Sequence, residues 1–399
     1  MVSEESLMSK LFEPGRLGKK EIRNRFIHSA TYEGMAKENG QITDKILKRY
    51  KNLAKGEVGL IIPGYMYVLP EGKAFKYQTG IHSDNMIPGL KVLVDAVHES
   101  RGIIFFQLAH AGRQTTKDVA GASPIGPSAK GRDPLYFVKP KEMNEQDIKD
   151  TIEAFGSAAK RAVKAGVDGI QIHAAHGYLV NQFLSPFFNS RDDKWGGSDE
   201  NRFRFLKQIF YQIKNEIDDN LPVIVKLSTH DHTPKQGVTL SLAAKYSKFL
   251  SELGIDGIEV SCGTALYSFM NMCRGDVPVD DLVSGLPWWK KTMGRIMMNS
   301  LKNKYDLEEG YNLEAAKRIK PEIGDIPVSV VGGLRTVSLM EDVLESGDAD
   351  FISMSRPFIR EPFIVKKIRE GKTKQVSCVS CNKCLAAAAN YKIVRCYNK

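Results

Sequence analysis

Eight short runs rich in Ile, Val, Leu or Phe recur along the 399-residue chain, at residues 25–28, 58–62, 103–108, 169–173, 223–227, 257–260, 328–331 and 351–354. Segments with helical apolar spacing lie between them, among them 148–165, 203–217 and 241–253. Strands that alternate with helices pair in parallel, because a parallel neighbour is reached only through a crossover connection. Eight such units predict an α/β fold of the (β/α)8, or TIM-barrel, type. A doubly wound open sheet would carry G-x-G-x-x-G in its first unit, and no such fingerprint is present. Barrels run to about 250 residues or more as one domain. Residues 1–370 are therefore assigned to the barrel and 371–399 to a short C-terminal segment. Residues 261–309, after the sixth strand, show no clear period, contain Trp288-Trp289 and read as a lid or interface loop.

Thiols mark the C-terminal segment. Four of the six cysteines stand there, as Cys378-x2-Cys381-x2-Cys384-x11-Cys396. Three closely spaced thiols can wrap one side of an inorganic centre while a fourth closes the other. Two chemistries fit: a [4Fe–4S] cluster on four thiolates and a closed tetrahedral zinc. Two disulfides or four unliganded thiols are the plainer alternative.

Formal net charge is +10, yet acidic and basic residues alternate over most of the chain and only 366–374 is locally basic. Such a surface reads as solvated, with attraction for phosphorylated cofactors as a second reading. No nucleic-acid motif accompanies the charge. Met1-Val-Ser-Glu-Glu-Ser6 has neither the basic start nor the apolar run of a leader, and no stretch approaches the ~20 apolar residues of a membrane span. The expectation is a cytoplasmic protein with neither nucleic acid nor membrane as partner.

A barrel assembles its site from the loops at the carboxyl ends of its strands, and polar residues gather there. Strand one ends in Ser29-Ala30-Thr31-Tyr32, strand two reaches Gly64, strand three carries Gln107 and His110, and strand four closes on His173, His176 and Tyr178. Lys226 closes strand five, Gly332-Gly333 strand seven and Ser355-Arg356 strand eight. A single His at a strand end is usually structural, but two with a tyrosine in so short a span point to chemistry. Barrel enzymes commonly hold a phosphate at strands seven and eight, so Gly332, Gly333 and Arg356 point to a bound nucleotide phosphate.

Further motifs join these: Leu11-Phe-Glu-Pro-Gly15, Asn24-Arg25-Phe26, Gln107-Leu-Ala-His-Ala-Gly-Arg113, Gln182-Phe-Leu-Ser-Pro186, Asn189-Ser-Arg191-Asp and Glu200-Asn-Arg202. Over nearly its whole length the sequence resembles the old yellow enzyme family of FMN-dependent oxidoreductases. The resemblance implies that Gln107 and Lys226 address the pyrimidine edge of the flavin and that Gly332, Gly333 and Arg356 hold the FMN phosphate. It implies too that His173 and His176 bind a substrate carbonyl and that Tyr178 donates the proton. Ser29, Ala30, Thr31, Gly64 and Ser355 complete the implied cofactor-binding set. NAD(P)H is the implied reductant, and an α,β-unsaturated carbonyl compound, reduced at its C=C bond, the implied substrate.

The cysteine tail is similar to that of the 2,4-dienoyl-CoA reductase and trimethylamine dehydrogenase branch, which carries a [4Fe–4S] cluster ahead of FAD- and NAD-binding domains. This chain stops three residues after Cys396, so electrons through a cluster are expected from a ferredoxin or flavoprotein partner. Ser261-Cys262-Gly263-Thr264 stands where dienoyl-CoA reductases place a catalytic His. Two other readings stay open: an amine dehydrogenase or demethylase working with an electron-transfer partner, and an ene reductase whose tail holds only structural zinc. A homo-oligomer is expected.

Overall fold

Side chains along a strand point alternately to opposite faces, and here the two faces carry different chemistry. The computed structural model describes residues 9–398; the stretch from Met1 to Ser6, on which the expectation of no leader rests, lies outside them. Its main strands are β1 (Phe26–His28), β2 (Leu60–Ile61), β3 (Phe105–Ala109), β4 (Gly169–Ala174), β5 (Val223–Ser228), β6 (Ile258–Ser261), β7 (Val328–Val331) and β8 (Phe351–Met354). They pair in parallel in the order β2-β1-β8-β7-β6-β5-β4-β3. Toward β3 the ring is closed by a parallel bridge from Ile61 to Ile104 and by the two-residue strand Met66–Tyr67, which pairs in parallel with Leu108 and Ala109. The expected (β/α)8 barrel is the observed one.

Outward-facing residues, among them Phe106, Leu108, Ile170, Ile172, Val225, Leu227 and Val260, pack under the surrounding helices in one large core. Those helices are α1 (Asp44–Lys55), α2 (Ile87–His98), α3 (Glu145–Ala165), α4 (Asp199–Glu216) and α5 (Leu240–Glu252). The start of α3 is set by a reciprocal capping box between Asn144 and Asp147.

Inward-facing residues change character along the barrel axis. At the amino end Ile27, Leu60, Phe105, Ile224 and Phe351 meet Leu17 and Ile22 from an antiparallel hairpin (Gly15–Leu17 with Lys20–Ile22) that plugs the base. Gly169 contributes by lacking a side chain, since a Cβ there would stand 2.6 Å from the Phe105 ring. Two residues further along several of these strands the inward positions turn polar: Ser29, Gln107, Lys226 and Ser353, joined by Gln171 and Glu259, are all buried. The gradient delivers functional groups to the carboxyl end.

Residues 261–309 are not the irregular loop that their missing period suggests. They hold the short helix Phe269–Met272, α6 (Val279–Val283) and α7 (Trp288–Asn299). Of α7 only Met298 is buried; its other apolar residues face outward, so no core-facing period marks it. Next come α8 (Leu313–Ile319), α9 (Val337–Glu345), α10 (Ile364–Arg369) and α11 (Lys383–Ala389), the last carrying Cys384. No described helix is long and apolar enough to cross a membrane.

Candidate active site

A hydrogen-bonded floor crosses the barrel just above its apolar base. Gln107 Nε2 donates to Gln171 Oε1 at 2.6 Å, and Gln171 Nε2 donates to Glu259 Oε2 at 2.9 Å. Lys226 Nζ stands 3.4 Å from that carboxylate oxygen and donates to Ser29 Oγ at 2.6 Å. The Lys226 and Glu259 side chains are 3% and 1% exposed. A buried ion pair of this kind persists only when its remaining donors and acceptors are also satisfied, yet Gln107 Oε1, Glu259 Oε1 and Ser353 Oγ have no protein partner. Thr31 Oγ1 donates to Ser29 O at 2.9 Å, holding the end of β1 in place.

Above the floor, β4 ends in a turn that only unusual backbone allows. His176 has φ 64° and Gly177 φ 77°; a non-glycine residue in the left-handed region is strained, and such strain clusters at functional sites. The double left-handed step turns the chain back, and Tyr178 becomes the residue before the helix Leu179–Leu184. His173, His176 and Tyr178 thereby converge, with ring centroids 5.2 Å apart for the two histidines and 4.9 Å for His173 and Tyr178. His176 Nε2 is 2.7 Å from Ser261 Oγ at the end of β6, whereas His173 Nδ1 is buried without a partner.

Burial holds both imidazoles well below the usual histidine range; Lys226 adds to this for both, and His176 does so for His173. Both are neutral near pH 7. Burial pushes the Tyr178 phenol up to about 12, while its hydrogen bond with Tyr65 draws it back down. The Tyr65 and Tyr178 hydroxyls are 2.6 Å apart.

At strands seven and eight, Gly332 (φ 154°) and Gly333 (φ 74°) admit backbone that a side chain would obstruct. A Cβ on Gly332 would lie 2.9 Å from Tyr311, and one on Gly333 2.6 Å from Glu308 O. Arg335 is 4% exposed. Burial, and then the neighbouring Arg356 guanidinium, lowers its pKa. Two guanidinium groups beside a glycine pair form a donor set suited to a dianion. Arg356 Nη1 donates to Asn382 Oδ1 at 2.5 Å and lies 3.4 Å from Cys273 O, so it also ties the barrel to the tail.

The tail lies across the barrel mouth. Asn382 Nδ2 donates to Cys273 O and Asp276 O at 2.8 and 3.0 Å, Arg335 Nη2 to Ser380 Oγ at 2.9 Å, and Val394 N–H to Glu33 O at 2.8 Å. Cys384 and Val394 pack into the same apolar cluster as Tyr32, Tyr65 and Tyr178. Left-handed Ser380 (φ 57°) and Asn382 (φ 55°) curl the chain around Cys381. Burial pushes the Cys384 thiol up to about 11, Arg356 opposes that, and Cys378 and Cys381 are close enough to add to it. Cys396 instead donates to Asn398 O at 3.2 Å and sits 3.7 Å from Arg360 Nη1. Among the described residues no three His, Cys, Asp or Glu side chains stand close enough together to hold a metal ion.

The expected site residues thus fall into three groups. Ser29, Gln107, Lys226, His173, His176 and Tyr178 share the mouth. Ser355, Arg356, Gly332 and Gly333 stand at its far side, where Ser355 precedes the helix Arg356–Arg360. Ala30 packs against the apolar base cluster. Gly64 serves a neighbour, its N–H bonded to Glu33 Oε1 at 2.8 Å. Sequence reasoning missed Gln171, Glu259, Tyr65 and Arg335. A charged residue inside the apolar run Ile258-Glu-Val260 was the available signal for Glu259.

The donor set fits a flavin mononucleotide. Gln107 Oε1 is an unused acceptor, Lys226 is buried, and Arg335, its Nε unpaired and Arg356 near it, follows the glycine pair after strand seven, a place where barrel enzymes commonly hold a phosphate.

Residues 10–271 match the family described as NADH:flavin oxidoreductase / NADH oxidase. An NADH oxidase of Thermoanaerobacter brockii is 34% identical over 377 residues, covering 93% of this chain and 52% of that protein. Among solved structures, a 2-naphthoyl-CoA reductase complex superposes with a TM-score of 0.84 at 25% identity, over 97% of this chain and 56% of that one. An old yellow enzyme homologue from Zymomonas mobilis does so with a TM-score of 0.71 at 25% identity, over 93% of this chain and 96% of that one. The chain therefore spans about half the length of the first two.

Proposed function

The chain belongs to the NADH:flavin oxidoreductase / NADH oxidase family, and from that premise we propose that it is an FMN-dependent reductase of activated C=C bonds, with NAD(P)H as reductant. The observation that carries this reading is the convergence of the buried Tyr178 phenol with two imidazoles, its ring centroid 4.9 Å from that of His173 and the His173 centroid 5.2 Å from that of His176. When bound, the flavin supplies a hydride to the β-carbon of an α,β-unsaturated carbonyl compound. His173 and His176 hold the carbonyl oxygen and stabilise the negative charge that develops there, an oxyanion-hole role. Tyr178 keeps its proton until the α-carbon becomes basic and then delivers it. Gln107 and Lys226 hold the pyrimidine edge, and Gly332, Gly333, Arg335 and Arg356 the phosphate.

A single-turnover experiment separates these roles. Tyr178→Phe is expected to leave flavin reduction by NAD(P)H near the parental rate and to slow reoxidation by an enone about 10²–10⁴-fold, the scale of a lost general acid. Parental reoxidation would sink the assignment.

The packing of Cys384 against the Tyr178 cluster favours a second element. In this reading residues 371–399 are a metal-binding segment in which Cys378, Cys381, Cys384 and Cys396 would hold a [4Fe–4S] cluster only after drawing closer together than they stand without metal, and the cluster would supply electron transfer between a ferredoxin or flavoprotein and the flavin. Iron and sulfide analysis after anaerobic purification decides it; stoichiometric zinc without sulfide leaves the reductase reading intact and removes the relay.

A further inference from the structure

Helix α7 exposes an apolar face to which none of the chemistry above assigns a role. Trp288 is 84% exposed, Trp289 63%, Met293 70%, Ile296 62% and Met297 45%. Residues 289, 293, 296 and 297 follow helical spacing and form one stripe. Lys290 and Arg295 lie on its two sides, with Lys291 beyond Arg295. From Leu282 to Tyr305 the chain carries five basic residues and no acidic one. The acid in contact with this group is Asp280 of α6, 3.1 Å from Arg295 Nε and itself exposed. Lys290 Nζ rests 4.8 Å from the Trp289 ring centroid, a cation held at the edge of an apolar stripe.

We propose that α7 docks the protein on an anionic phospholipid surface, lying in the interface plane with Trp289, Met293, Ile296 and Met297 among the acyl chains and Lys290, Lys291 and Arg295 at headgroup level. Indoles and basic side chains on opposite flanks of a short amphipathic helix are the chemistry of that interface. The unassigned positive charge selects an anionic surface. A second copy of the chain seated on the same face would bring five cations against five. A fluid surface, unlike a folded partner, requires no groove shaped to a projecting helix. The lack of a membrane-spanning helix concerns crossing a bilayer and leaves lying on one unaffected. Because α7 belongs to the β6–β7 connection, docking would turn the carboxyl end of the barrel toward the lipid.

The chain's own tryptophans report the outcome. Trp195, the third indole, is 4% exposed, so a change in emission reads the patch. Full-length protein mixed with vesicles of phosphatidylcholine and phosphatidylglycerol is expected to sediment with them and to shift its emission to shorter wavelength. Binding should be roughly tenfold stronger than to phosphatidylcholine alone and should weaken in high salt. Lys290→Glu/Lys291→Glu should erase the preference, and Trp288→Ser/Trp289→Ser the binding, with the far-ultraviolet dichroism of the parent. Unshifted emission and no sedimentation with either vesicle overturns the proposal. So does lipid-free emission already at short wavelength in an oligomer that the Trp288→Ser/Trp289→Ser variant dissociates, which would assign the face to a second copy. An equal shift with polyglutamate in place of lipid would also overturn it, in favour of an acidic protein.

Discussion

At the scale of residues, the pair Tyr65–Tyr178 makes the most specific claim. The two hydroxyls share one hydrogen bond that either can donate; with Tyr65 as the donor the Tyr178 proton is free to point at a substrate, and the bond stabilises the phenolate left after proton transfer. Tyr65→Phe is therefore expected to raise the Tyr178 pKa above its present value of about 12 and to slow enone-dependent reoxidation about tenfold, the equivalent of roughly 1.4 kcal/mol for one lost hydrogen bond. Flavin reduction should be spared, and stopped-flow measurement of the two half-reactions checks both. Arg356→Ala should lower FMN retention, read as flavin per protein after dialysis. His173, His176 and Tyr178 were legible in the sequence because one turn carries all three. Tyr65 and Arg335 were not, since each reaches the site from a different strand end and its neighbours there are supplied by the fold, whereas Glu259 was marked only by its charge inside an apolar run. Arg356 was legible as a strand-end cation, but its bond to Asn382 depends on where the tail folds back.

At the scale of elements, strands buried on both faces read as short, mainly apolar runs, which is why β7 and β8 coincide with residues 328–331 and 351–354 although each carries one Ser, Ser329 and Ser353. Helices α3, α4 and α5 were legible from their core-facing period. Helix α7 was not, because that period registers only where an apolar face meets a core. Gly169 shows how a strand carries information that a run of apolar letters hides. Gly169→Ala is expected to destabilise the barrel by about 1–3 kcal/mol through overpacking against Phe105, measured by urea unfolding. Phe105→Leu in the same chain should recover part of the loss. The tail is a second element with a testable unity: Ser at any of Cys378, Cys381, Cys384 or Cys396 should abolish stoichiometric metal, while Cys262→Ser and Cys273→Ser should leave it, by metal analysis.

At the scale of the whole molecule, buried titratable groups set the acid limit. Burial lowers His28 to about 4 and His110 to about 3, and holds His173 and His176 well below the usual range. Unfolding lets each take up a proton below about pH 6.5 that the folded state refuses. Stability is thus retained above that pH and falls as pH drops toward about 4. Asp231, raised to about 6, and Glu33, also raised by burial, act in the opposite direction by binding protons when folded. With His82, His230 and His232 also lowered and Asp256 also raised, seven histidines stand against three carboxylates, so the thermal midpoint is expected to fall between pH 6.5 and 4, and a midpoint that rose over that range would contradict the burial of the histidines. The barrel is also a hoop of unequal joints. Neighbours such as β4 and β5 share five paired positions, while β2 has two pairs with β1 and, toward β3, the bridge from Ile61 to Ile104 followed only by Met66 with Leu108 and Tyr67 with Ala109. A hoop under thermal load parts at its weakest joint. Breathing should begin at this seam, and since Gly64 and Tyr65 follow β2 on that edge, amide exchange there would report the motion by which the mouth of the barrel opens and shuts.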